Sequence, residues 1–141
     1  MLVAQVDFYI LEKEDEESRY LFACRLAEKA WQLGNKIHIH TMVQKDSKKI
    51  DELLWTFKDN SFVPHQIVEN KDHLPISISY GEKFIKSKDL LINLCDQIPD
   101  FSSSFPRIAE LVISEKACKQ KSRERYKIYK EQGHTLRMHK I

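Results

Sequence analysis

The feature that most constrains this chain is a strand-helix-strand pattern in its first 41 residues. Gln5-Val-Asp-Phe-Tyr-Ile10 reads as a buried strand. Asp15 or the acids beside it can begin a helix that carries Tyr20, Leu21, Cys24, Leu26, Ala27 and Trp31, and Gly34 is placed to end it. Lys36-Ile-His-Ile-His-Thr41 then alternates as a second strand. Two strands joined by a helix of that length predict a right-handed parallel crossover, so the fold class is α/β.

The remaining pattern extends that sheet. Ser47 can cap a short helix through Ile50, Leu53, Leu54 and Trp55, after which Lys58-Asp-Asn60 turns into Phe62-Val-Pro-His-Gln-Ile-Val68. Pro64 lacks a backbone donor and argues against a central strand there. Ile76-Ser-Ile-Ser-Tyr80 and Leu90-Leu-Ile-Asn-Leu-Cys95 read as strands separated by a lysine-bearing turn, Gly81 to Asp89, which makes about five strands. Beyond Pro99 the pattern predicts helix, first through Phe105, Ile108, Ala109, Leu111 and Val112, then through a charged helix from about Ser114 to Gln132. Gly133 stops that helix and a short extended tail follows. The most loop-like stretch is Glu69 to Pro75. At 141 residues and 42% apolar, the chain predicts one domain, 1–141, with enough apolar material for its own core.

Composition then excludes whole classes of chemistry. With only Gly34, Gly81 and Gly133, neither glycine-rich phosphate fingerprint can be written, because each needs closely spaced glycines to let backbone amides approach a phosphate. Zinc-protease and nucleophile-elbow motifs are missing too, so an enzyme would have to assemble its site from distant residues. Cys24, Cys95 and Cys118 are odd in number and widely spaced, which suits a reducing compartment and small buried hydrophobes. No apolar run approaches a membrane span, and the first residues lack signal-peptide features, so the reading is cytoplasmic. His38 and His40 share one strand face, a possible start to a metal site, but with no identifiable third ligand structural or surface histidines are favoured. Asp7, Asp96 and Asp100 fall near predicted strand ends as caps, turns or catalytic carboxylates, with nothing to bring them together. Neither a cofactor nor a metal is expected.

Charge is distributed unevenly. From Glu115 onward there are nine Lys or Arg against three Glu, while residues 1–114 hold 14 basic against 18 acidic groups. Lys119, Arg123 and Lys127 recur every fourth residue with Tyr126 three after Arg123, so three cations and a ring share one helical stripe. Cys118, Ser122, Arg125 and Tyr129 form the neighbouring stripe, where Tyr129 is the better candidate to pack inward. Such a run is either a solvated face or an anion-binding face. Cations at four-residue spacing repel one another, which is easier to understand if something negative binds. Nucleic acid and an acidic peptide both fit. Trp55 and Phe62 bracket a polar turn and are either core residues or anchors of a protein interface.

Seven segments, in order, carry a resemblance: Val6-Asp-Phe-Tyr9, Phe22-Ala-Cys-Arg-Leu-Ala-Glu-Lys-Ala30, Asp51-Glu-Leu-Leu-Trp55, Ser61-Phe-Val-Pro-His65, Leu91-Ile-Asn-Leu94, Asp100-Phe101 with Phe105, and Arg123-Glu-Arg-Tyr-Lys127. Together they make the chain resemble the chi-subunit family of bacterial DNA polymerase III. The resemblance implies a three-layer α/β/α fold with a mainly parallel sheet, nucleotide-binding-like in outline but without a phosphate loop. It implies no catalysis. It implies an adaptor that pairs with the psi subunit, which joins it to the clamp loader, and that holds the acidic C-terminal tail of single-stranded DNA-binding protein, so that its contact with DNA is mainly indirect. By position, Lys119, Arg123, Tyr126 and Lys127 match the family's tail-binding residues, and Trp55 and Phe62 match positions used for psi. The residues of the tail site's apolar floor are left unassigned.

Overall fold

The computed structural model describes residues 3–57, 65–67, 75–81 and 87–141. Phe62, Pro64 and the centres of both long turns lie outside them. The chain runs β1 (Gln5–Ile10), α1 (Glu16–Gln32), β2 (Ile37–Thr41), α2 (Gln44–Thr56), β3 (His65–Ile67), β4 (Ile76–Tyr80), β5 (Leu90–Asn93), a 3-10 turn (Asp100–Ser104), β6 (Arg107–Val112), α3 (Lys116–Glu131) and β7 (Thr135–Lys140). All described strand pairs are parallel, in the order β3-β4-β2-β5-β6-β1-β7.

Strand alternation divides the core in two. Ile37, Ile39, Ile76, Ile78, Ile92, Ala109 and Leu111 face α1 and α2, whose small Ala23, Cys24, Ala27 and Ala30 permit close approach to the sheet. Val6, Phe8, Leu91, Ile108 and Val112 point the other way, toward Phe105 and the wholly buried Tyr129 of α3. Helices therefore cover both faces, giving the three-layer α/β/α arrangement expected from the resemblance.

Local chemistry accounts for most boundaries. Asp15 caps α1 by accepting from Ser18 N at 3.1 Å, and Glu115 caps α3 by accepting from Ala117 N at 3.0 Å and Cys118 N at 2.9 Å. The Ser18 hydroxyl, with its amide, holds the Asp15 carboxyl below the usual carboxylate range, and the Ala117 and Cys118 amides do the same for Glu115. Gly34 and Gly133 follow α1 and α3 with φ of 90° and 84°, the left-handed conformation that ends a helix. The short β3 lies at the sheet edge, as Pro64 had argued.

Several expectations are corrected. Ile108 to Val112 form the strand β6, deep in the sheet, where a helix was expected. Ala, Glu and Leu favour helix locally, but strand pairing with β1 and β5 on either side overrides that preference. The extended tail is a full strand, β7, paired along β1, and these two additions raise the count from about five strands to seven among the described residues. Ser47 does not cap α2: the helix begins at Gln44, and Ser47 is buried with its hydroxyl 2.7 Å from that of Thr41. Of the cysteines only Cys24 is fully buried, Cys95 and Cys118 being partly exposed.

Candidate partner-binding surface

Everything about the candidate surface depends on how α3 is held. Glu110 projects from β6 into the layer beneath α3 and is completely buried. Its carboxylate accepts from Arg125 Nε at 3.0 Å, Tyr129 Oη at 2.7 Å and Asn93 Nδ2 at 2.8 Å. Arg125 also donates to the Asp96 carbonyl at 2.8 Å. Burial pushes the Glu110 carboxyl up, against the pull of Arg125 and the other donors, and burial beside Glu110 pushes the Tyr129 phenol up. A buried acid with this many donors specifies the rotation of α3 about its axis. Sequence reading missed Glu110, because in the expected helix its side chain would have been one more surface charge.

With Ser122, Arg125 and Tyr129 turned inward, the next stripe must turn outward. Lys119, Arg123 and Lys127 are exposed, and none makes an ion pair among the described residues. By contrast, Lys121 and Arg125 on the same helix are engaged by Asp96 at 2.7 Å and Glu110. Tyr126 is half-buried, its ring 5.4 Å from that of Phe8. The structure thus brings all four residues of the predicted stripe to one side of α3.

An apolar strip runs beside them, which the sequence left without names. Val6, Phe8 and Ile10 of β1 pair with Leu136, Met138 and Lys140 of β7, and parallel registry puts all six side chains on the α3 side of the sheet. Ile10, Cys118, Tyr126 and Leu136 are partly buried against this core, and Met138 is 55% exposed. Through Phe8, which meets Tyr126 on one side and pairs with Met138 on the other, the apolar face continues from α3 to the edge strand β7. Its sequence signal was the alternation of Leu136 and Met138 with polar neighbours, legible as a strand once its partner β1 is known.

Trp55 lies on α2, in the opposite layer, and is 51% exposed. Phe62 lies outside the described residues. His38 and His40 are buried on the α3 side of the sheet: His38 is hydrogen-bonded to Ser77 at 2.7 Å and Ser79 at 2.8 Å, and His40 to Ser79 at 2.9 Å. Burial lowers both imidazoles' pKa, so they are neutral parts of the core near Phe101 and Phe105. Asp7 sits on the other face of β1, accepting from Gln5 and Arg107 and paired with His139 at 2.9 Å. Asp96 pairs with Lys121, and Asp100 starts the 3-10 turn, so the three aspartates are not assembled into one site. No helix among the described residues is long and apolar enough to cross a membrane.

Comparison with known proteins decides the family. The family model described as DNA polymerase III chi subunit, HolC, matches residues 3–137. This chain belongs to the DNA polymerase III chi subunit family. It is 37% identical over 139 residues to DNA polymerase III subunit chi of Pseudomonas aeruginosa, covering 99% of this chain and 98% of the relative. It is 39% identical over 132 residues to the Haemophilus influenzae subunit chi, with 92% of each covered. To that of Escherichia coli it is 33% identical over 116 residues, covering 80% of this chain and 79% of the relative. A chi subunit is part of the DNA polymerase III replicase and acts with other replication proteins.

Proposed function

We propose that this protein is a non-catalytic adaptor of the DNA polymerase III replicase, acting in the cytoplasm at the replisome. The α3 face holds the acidic C-terminal tail of single-stranded DNA-binding protein, and Trp55 and Phe62 are the residues that contact psi, which connects the chain to the clamp loader. Tethering of this kind keeps the replicase on coated template and aids the handoff from primase to polymerase.

One observation carries the reading: Lys119, Arg123 and Lys127 stand exposed and unpaired among the described residues around the half-buried ring of Tyr126, beside an apolar strip. Arg and Lys meet carboxylates as charge-assisted hydrogen bonds, while the strip of Ile10, Leu136 and Met138 receives the tail's terminal phenylalanine. Because both ionic and apolar contacts contribute, salt weakens the complex without abolishing it. The position of Trp55 in the other layer supports simultaneous engagement of two partners.

A peptide copying the acidic tail tests this. It should bind the wild-type chain, and Arg123→Glu should weaken it by at least about tenfold, since a favourable charge contact becomes a repulsive one. Unchanged affinity in the variant sinks the site. Direct binding of bare single-stranded DNA, with affinity falling steeply as salt rises, would instead identify the stripe as a nucleic-acid surface.

A further inference from the structure

The flank of α3 that carries Lys121, Glu124 and Ile128 borders a second surface, separate from the cation stripe. In the sheet, β2 and β5 are neighbours, but β2 leads into α2 on one layer whereas β5 leads into the 3-10 turn on the other. Chain departures to opposite faces leave a crevice at the carboxyl ends of the two strands, the usual ligand position of a parallel sheet. A cavity of about 420 Å³ opens there, within the size range of ligand sites. His40 and Met42 at the end of β2, Ile98 and Phe101 after β5, and Lys121 and Glu124 of α3 contribute to its walls. A second hollow of about 500 Å³ shares residues 96–100 with the first and continues along α3 to Ile128. The two form an elongated groove with exposed apolar residues, Met42 and Ile128, toward its ends.

Among the described residues, its charge disfavours the usual phosphate occupant. Lys121 is neutralised by Asp96, and Arg125 is committed to Glu110 and the Asp96 carbonyl. Asp100 and Glu124 remain as exposed carboxylates that make no hydrogen bond or ion pair among the described residues. His40, neutral in its buried position, adds no compensating positive charge. An acidic rim over apolar walls selects a cation with an apolar body, and the length of the groove selects an extended chain over a compact molecule.

We propose that this crevice is a second peptide-binding site, taking a short segment of a protein partner in which an arginine or lysine lies beside apolar residues. The basic side chain meets Asp100 and Glu124, and its neighbours rest on Ile98, Phe101 and Met42. The site is separate from the α3 cation stripe and stands independently of it.

Methyl-labelled methionine NMR provides a reporter for each surface, since Met42 lines the crevice and Met138 lies on β7. The probe is acetyl-Trp-Arg-Leu-amide. It should shift the Met42 methyl signal saturably and leave Met138 in place, and the Asp100→Asn, Glu124→Gln double variant, altered only at exposed positions, should bind it at least about fivefold more weakly. No Met42 shift, equal affinity in the double variant, or an equal response to acetyl-Trp-Glu-Leu-amide overturns the proposal. A larger Met42 response to adenosine monophosphate than to the peptide overturns it in favour of a nucleotide site. The acidic tail peptide should move Met138 instead, so failure at one surface is distinguishable from failure at the other.

Discussion

At the scale of residues, the buried polar groups decide how firmly α3 is held. Arg125→Ala would leave the Glu110 carboxylate buried without its cation, and removing one member of such a pair costs about 3–5 kcal/mol, which chemical denaturation should read directly. Tyr129→Phe removes one donor while Arg125 and Asn93 remain, so its cost should be smaller, about 1–2 kcal/mol. The histidines set the pH response. Folded His38 and His40 titrate below the ordinary value of 6.5, so in acid the unfolded chain takes up protons that the folded chain refuses. Their contribution to stability is therefore complete above about pH 6.5 and is lost as pH falls below it, by up to about 1.4 kcal/mol per pH unit for each group. Urea midpoints at pH 7.5 and 5.5 should differ accordingly, and His38→Asn should narrow that difference. His38 and His40 were legible as a same-face pair; that Ser77 and Ser79 occupy their nitrogens was not, because β4 is distant in sequence.

At the scale of elements, β7 carries the largest consequence that local reading passed over. It pairs with β1 through its whole length, and the turn that admits it needs the positive φ of Gly133. Gly133→Ala should cost about 1 kcal/mol from backbone strain alone, since open space surrounds the added carbon. Met138→Glu separates binding from stability. The side chain is largely exposed, so the thermal midpoint should hold, but a carboxylate beside the cation stripe should weaken binding of the acidic tail peptide severalfold. Unchanged affinity would mean that β7 is no part of that surface. The error over β6 has the same origin as the reading of β7 as only a short extended tail. Ile108-Ala-Glu-Leu-Val112 is compatible with helix or strand, and only its neighbours β1 and β5 select the strand.

At the scale of the whole molecule, the sheet separates Trp55 in one helical layer from Lys119, Arg123, Tyr126 and Lys127 in the other. Two surfaces so placed share no residues, and substitutions at independent sites add. Trp55→Ala should therefore leave tail-peptide affinity within about twofold of wild type, measured in the same assay that shows the loss for Arg123→Glu. The sequence by itself determined the α/β class, both long helices with their glycine stops, the Asp15 cap of the first, and the alignment of three cations with a tyrosine, because helical period, capping and strand alternation are local properties. Only the tertiary structure decided that β1 is inserted between β6 and β7, more than a hundred residues away, and that Glu110 turns α3 so that its cations face outward. It also created the apolar strip and the acidic crevice, whose walls come from segments far apart in the chain. The physical reason is that pairing and burial are properties of the space between segments, and that space exists only once the sheet has assembled.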